Sequence, residues 1–195
     1  ARSRFELLLA ELGGRAVTQT LTVTQPNIAI DTITPITGAV NDRIRISGDQ
    51  YYRINSVVFN TGKSGEFSVV SPAIIETTVP YGAAYGPITI GSTDRGLSRA
   101  SVGVFVPVPL IEGFIPVSGI SGDTVSLSGV GFSGTTDISI NNLQAISFTV
   151  IQNTGINFVV PSGNTKGKIR VTGQSGVVGV STKDFYPLVR INSIS

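Results

Sequence analysis

Few side chains in this 195-residue chain could perform covalent chemistry. It contains neither histidine nor cysteine, which removes Ser–His–Asp and Cys–His nucleophilic sites, disulfides, and zinc sites built from imidazole or thiolate. Carboxylates remain. Asp42 and Asp123 each stand at a turn ahead of an alternating segment, where aspartate bonds to nearby backbone N–H groups. Glu76 and Glu112 form no pair that would flank a substrate, although Asp31 aligns with Glu112 in the repeat described below. No Asp-x-Asp-x-Asp run supports a calcium loop. Gly129-x-Gly131-x-x-Gly134 has the spacing of a dinucleotide-binding turn, yet Thr135-Thr136-Asp137-Ile138 opens another strand, so no helix N-terminus awaits a phosphate. No catalytic residue, cofactor site or metal site is assigned, and the chain is expected not to be an enzyme.

Charge is equally restrained. Lys166, Lys168 and Arg170 alternate with Gly167, Ile169 and Val171, which places three cations on one strand face; a solvated edge kept from aggregating is the plain reading, a polyanion contact the sharper one. Residues 30–110 hold six basic and six acidic side chains and residues 111–190 hold five and four. A dedicated DNA reader carries a basic patch or stripe, so nucleic acid is not expected as a partner. No stretch approaches the roughly 20 apolar residues of a membrane span. Leu7, Leu8 and Leu9 follow Arg2 and Arg4, but Glu6 and Glu11 bracket an apolar run too short for a signal peptide. Ala1 reads as the residue left after an initiator methionine is removed.

The elements that must position these residues come in two copies. A shift of 81 superposes Pro35 on Pro116, Gly38 on Gly119, Asp42 on Asp123, Ile46 on Leu127, Gly48 on Gly129, Asn60 on Asn141, Val79 on Val160 and Gly86 on Gly167. Turn and core residues match together, the mark of a true repeat. Arg43-Ile44-Arg45-Ile46-Ser47 and Thr124-Val125-Ser126-Leu127-Ser128 alternate with period two, as half-buried strands do. Such segments recur about every ten residues, the spacing of a two-sheet antiparallel sandwich. A shift of 80 brings Ile191 onto Ile111, so residues 188–195 read as the first strand of a third copy, and the parent chain is expected to be longer. Pro107-Val108-Pro109 joins the copies directly, predicting a stiff rod.

Ile33-x-Pro35-x-x-Gly38, Asp42-x-Ile44-x-Ile46-Ser47-Gly48, Val58-Phe59-Asn60 and Val79-Pro80-x-Gly82 together resemble the IPT/TIG immunoglobulin-like domain. The second copy is the closer match, with Phe114-x-Pro116-x-x-Gly119, Gly122-Asp123 and Ser128-Gly129-x-Gly131-Phe132. The first departs at Asp49-Gln50-Tyr51-Tyr52, where the family has glycine and phenylalanine. The resemblance implies a structural and binding module without activity of its own. The expected architecture is all-β: an N-terminal docking arm (1–29), one IPT/TIG-type sandwich (30–109), a second (110–187), and the start of a third (188–195).

Residues 1–29 follow other rules. Ser3-x-x-Glu6 is a capping box, and Phe5, Leu8, Leu9 and Leu12 then form one apolar helical stripe ended by Gly13-Gly14. Val17, Leu21 and Val23 alternate with threonines and read as a strand. A helix this short is marginal alone. The arm either covers the first sandwich or docks on a partner, and the second reading is preferred because the second copy closes its core with no arm. These seven apolar residues are therefore the expected partner-docking set. The functional expectation is a structural protein of a bacteriophage virion, such as a tail fibre, head fibre or capsid decoration. It would be made in the host cytoplasm, anchored among other virion proteins by the arm, and assembled as a homo-oligomer such as a trimer, with a host-surface glycan as distal ligand. The alternatives are a bacterial cell-surface adhesin or carbohydrate-binding module and, less favoured, a DNA-binding regulatory domain.

Overall fold

The structure, a computed structural model, describes residues 2–8, 18–24 and 27–189. Two strands, β1 (Arg2–Leu8) and β2 (Thr18–Thr24), pair antiparallel at the N-terminus, with Phe5 opposite Leu21 and Ser3 opposite Val23. The expected helix is thus corrected to a hairpin. A nine-residue helix carries a nucleation cost that few internal hydrogen bonds offset, whereas the threonine-rich β2 offers β1 a full ladder. The spacing of three and four that defines the Phe5/Leu8/Leu9/Leu12 stripe has no meaning on a strand of period two. Leu9, Leu12 and Val17 lie outside the described residues.

The chain then builds a first unit from β3 (Ala29–Thr34), β4 (Thr37–Gly38), β5 (Arg43–Asp49), β6 (Ser56–Phe59), β7 (Lys63–Ser64), β8 (Phe67–Ser71), β9 (Ile74–Thr78), β10 (Thr89–Ser92), β11 (Leu97–Ala100) and β12 (Val106–Pro107). A second follows with β13 (Leu110–Ile115), β14 (Ser118–Gly119), β15 (Thr124–Val130), β16 (Thr135–Ile140), β17 (Leu143–Gln144), β18 (Phe148–Ile151), β19 (Gly155–Val159), β20 (Gly167–Gly173) and β21 (Val178–Pro187). The protein is all-β, and helical structure among the described residues is limited to three-residue 3-10 turns.

Within each unit two antiparallel sheets face each other. The first has the orders β3-β5-β9-β8 and β11-β10-β6-β7, the second β13-β15-β19-β18 and β14-β21-β20-β16-β17. The alternation read from sequence is what buries their facing sides: Ile44 and Ile46 in β5, and Val125 and Leu127 in β15, are buried while the polar residues between them are exposed. Two separate apolar cores result, one from Ile28 to Phe105 and one from Ile111 to Phe185. The chain crosses over after the opening strand of each unit: β3 pairs with β5 and β4 then runs parallel to β12 as a separate two-stranded sheet, whereas β13 pairs with β15 and β14 joins the other sheet parallel to β21. Each crossing contains a cis peptide bond, Thr34–Pro35 or Ile115–Pro116.

The duplicated turn residues have equal roles. Asp42 Oδ2 accepts the Ala39 N–H at 2.7 Å and Asp123 Oδ2 accepts the Ile120 N–H at 2.9 Å. Where the first copy departs in sequence from the second, its backbone does not. Gln50 takes φ +66° and Gly131 φ +80°, both left-handed, and Tyr51 and Phe132 that follow are both fully buried. A left-handed glutamine costs about 1 kcal/mol or more that glycine avoids. Tyr51 adds a second cost, because its hydroxyl is buried without a hydrogen-bond partner among the described residues. Burial, reinforced by Asp31 and Asp49, pushes its pKa from 10.0 up to about 12.

Two predictions follow from the paired cores. Ile46→Ala and Leu127→Ala should each cost about 2–5 kcal/mol in chemical denaturation, as equivalent core truncations. Tyr51→Phe should stabilise by about 1 kcal/mol, since an unsatisfied buried hydroxyl is removed. The folded state keeps the Tyr51 proton after the unfolded chain releases it. Wild-type stability should therefore fall as pH rises from 10 to about 12, and this loss should be absent from Tyr51→Phe.

Candidate functional site

The residues that set this chain apart from a plain tandem repeat gather where the two units meet. Pro107 and Pro109 are buried, and between them the Val108 N–H donates to the Gly38 carbonyl at 2.9 Å. The end of the first unit is the loop Tyr81-Gly82-Ala83-Ala84-Tyr85, in which Ala84 is buried outside the first core. Asn153 of the second unit grips this loop. Its Nδ2 donates to the Gly82 carbonyl at 2.9 Å and the Ala83 carbonyl at 3.3 Å, while its Oδ1 accepts the Ser133 N–H at 3.2 Å. The Tyr85 N–H donates to Ser133 Oγ at 3.0 Å, and the Tyr81 hydroxyl donates to Glu112 Oε1 at 2.6 Å. That bond to a carboxylate raises the Tyr81 pKa. Close approach is possible because Gly179 has no side chain: a Cβ there would overlap the Pro109 carbonyl oxygen.

These contacts are not duplicated. Asn153 corresponds to Pro72, and Gly134, where a Cβ would press on Tyr85 at 3.1 Å, corresponds to Arg53 by the 81-residue shift. Gly179 corresponds to Arg99, since Val171 pairs with Gly179 as Ile90 pairs with Arg99. The loop Tyr81–Tyr85 corresponds to Ser162-Gly163-Asn164-Thr165-Lys166. One feature of the joint does recur: the Leu188 N–H donates to the Gly119 carbonyl at 2.8 Å, as Val108 does to Gly38.

Beside the joint lies a cleft of about 350 Å³ where β13 parts from β21. Ile111, Phe114 and Leu127 form its floor, and Glu112, Ser126 and Lys183 are among its polar walls. The first unit has an equivalent cleft of about 290 Å³ along Ile30–Ile33 and Ser101–Val104. A serine at matching positions lines both. Ser101 Oγ accepts the Ile88 N–H and donates to the Gly103 carbonyl; Ser181 Oγ accepts the Ile169 N–H and donates to the Lys183 carbonyl.

Other candidates from the sequence are dispersed. Lys166 and Lys168 both reach Asp184, at 3.7 and 3.0 Å, and the hydrogen bond from Lys168 holds that carboxyl below the ordinary range. The cation row is therefore partly neutralised by its neighbouring strand. Gly129 lies near the end of β15, and Gly131 and Gly134 lie in the turn that leads into β16, so a strand follows, as expected. Of the arm residues, Phe5 and Leu8 fall on β1, and Leu21 and Val23 on β2. Tyr81 and Asn153 were not marked by any motif. Their signal was present only as positions where the two copies disagree.

No family model and no curated protein matches the sequence. Similar solved structures include an SGBP-B from a xyloglucan utilization locus of Bacteroides uniformis, with 20% identity over 83% of this chain and 50% of that one and a TM-score of 0.39. A surface glycan-binding protein of Prevotella bryantii has 13% identity, coverage of 84% and 43%, and a TM-score of 0.46. The plexin A4 extracellular region has 11% identity, coverage of 86% and 28%, and a TM-score of 0.36. The chain spans half or less of the length of these proteins. The bacteriophage virion and tail-fibre expectation is corrected here, because the bacterial matches are surface glycan-binding and nutrient-binding proteins.

Asn153→Ala should leave both cores intact yet uncouple them. It strands the Gly82 carbonyl and the Ser133 N–H, a loss of about 1–3 kcal/mol at the joint. Scanning calorimetry should show one transition for the wild type and two for the variant; a single unshifted transition in both would remove Asn153 from its assigned role.

Proposed function

We propose that this chain is a non-enzymatic spacer and recognition segment of a bacterial cell-surface carbohydrate-binding protein. It consists of two IPT/TIG-type immunoglobulin-like sandwiches, residues 30–109 and 110–187, held as one stiff body, with 188–195 opening a third unit. The observation that carries this reading is the joint. Two units connected for reach alone need only a linker, whereas here two prolines are buried and Asn153, Ser133 and Glu112 all engage the loop Tyr81–Tyr85. Stiffness of this kind serves to hold a binding surface at a set distance and angle from its anchor. The apolar positions of the N-terminal hairpin, Phe5, Leu8, Leu21 and Val23, belong to the same proposal as a contact with a neighbouring part of that protein.

A flexible Gly-Ser insertion between Val108 and Pro109 of the parent protein tests this. Capture of soluble polysaccharide by intact cells should fall severalfold, while the affinity of the purified protein in glycan-containing gels stays unchanged and no reducing ends are released. Undiminished capture, or release of reducing ends by the wild type, would refute the spacer reading.

A further inference from the structure

The cleft of the second unit differs from its counterpart in ways that concern a ligand. Glu112 stands where the first unit has Asp31, and Gly113 replaces Thr32, so no side chain screens the floor at the bulge of β13. Tyr81 of the first unit donates its hydroxyl to Glu112 Oε1 at 2.6 Å, beside a cleft whose lining all belongs to the second unit. Tyr81 is 53% exposed, although the next three residues of its loop are buried. Lys183 lines the same cleft, and no ion pair is recorded for it among the described residues.

The volume is within the usual range for small-ligand clefts, about 300–1,000 Å³, and one of its wall carboxylates, Glu112, is bonded by a residue of the neighbouring unit. Its walls carry one anion, one cation and several hydroxyls over an apolar floor. An anionic ligand would face Glu112 and a cationic one Lys183, and either would leave one charge opposed. A neutral ligand rich in hydroxyls meets both as donor and acceptor, and its apolar ring faces suit Phe114, Ile115 and the Tyr81 ring.

We infer that the cleft between β13 and β21, completed by Tyr81 of the first unit, binds a neutral oligosaccharide. The inference rests on the carbohydrate reading above and adds to it a site within this chain. Glu112 accepts from sugar hydroxyls, Lys183 donates to them, and Tyr81 both stacks and positions Glu112. The joint is therefore part of the site, since a detached first unit would withdraw Tyr81.

The test is an NMR titration of the whole chain with a neutral β-glucan heptasaccharide and, in parallel, a polyuronate of equal length. Amide shifts should be confined to residue 81 and residues 111–117, 126–128 and 181–183 with the neutral sugar, and the polyuronate should bind at least about tenfold more weakly. Tyr81→Ala and Lys183→Ala should each weaken the neutral sugar by about fivefold or more, equivalent to roughly 1 kcal/mol, with unchanged spectra elsewhere; both side chains are on the surface, so folding is not at stake. Asn153→Ala should weaken it as well. Absent shifts, shifts outside the cleft, or stronger binding of the polyuronate would overturn the site. If the parent protein still captures polysaccharide on cells in that case, the spacer reading survives and only this site fails.

Discussion

The first unit closes on the second at two glycines: a Cβ on Gly179 would fall 2.0 Å from the Pro109 carbonyl oxygen, and one on Gly134 would press on Tyr85 at 3.1 Å. Much else depends on that approach. It lets both prolines of the connection be buried, and it brings the carbonyls of Gly82 and Ala83 within reach of one amide group, that of Asn153. It also lets Tyr81 cross from one unit to the other to reach Glu112. With Arg99 in the equivalent place, the first unit could not receive a neighbour in this manner. The joint is directional: one end presents a loop of tyrosine, glycine and alanine, and the other is shaped to accept it.

Much of each unit was legible because its determinants are local and occur twice. Period-two alternation in β5 and β15 identified Ile46 and Leu127 as core, and both are buried. Asp42 and Asp123 were legible as turn caps, since the bond each makes spans three residues. The N-terminal arm was misread for the opposite reason. Ser3-x-x-Glu6 and the Phe5/Leu8/Leu9/Leu12 spacing are local helix rules, while pairing of β1 with β2 joins residues ten or more positions apart. A capping box stabilises a helix that other interactions already support; it does not outweigh a full seven-residue ladder.

The joint and the cleft were largely illegible for a different reason. Asn153 is an ordinary loop asparagine until the fold places it against Gly82, and no spacing rule joins positions 71 residues apart. The repeat nonetheless contained the clue in negative form. Core and turn residues coincide between copies, whereas Pro72/Asn153, Arg53/Gly134 and the loop 81–85 against 162–166 do not. In a duplicated fold, such divergence marks where each copy meets something other than itself.

The central claim is that the two units move as one body. The chain has no cysteine, so cysteines introduced at Ser68 and Thr149, exposed and equivalent positions on β8 and β18, can carry spin labels without interference. Pulsed dipolar spectroscopy between them should give a single narrow distance distribution at all ionic strengths. A broad or multimodal distribution in the unmodified joint would contradict the account.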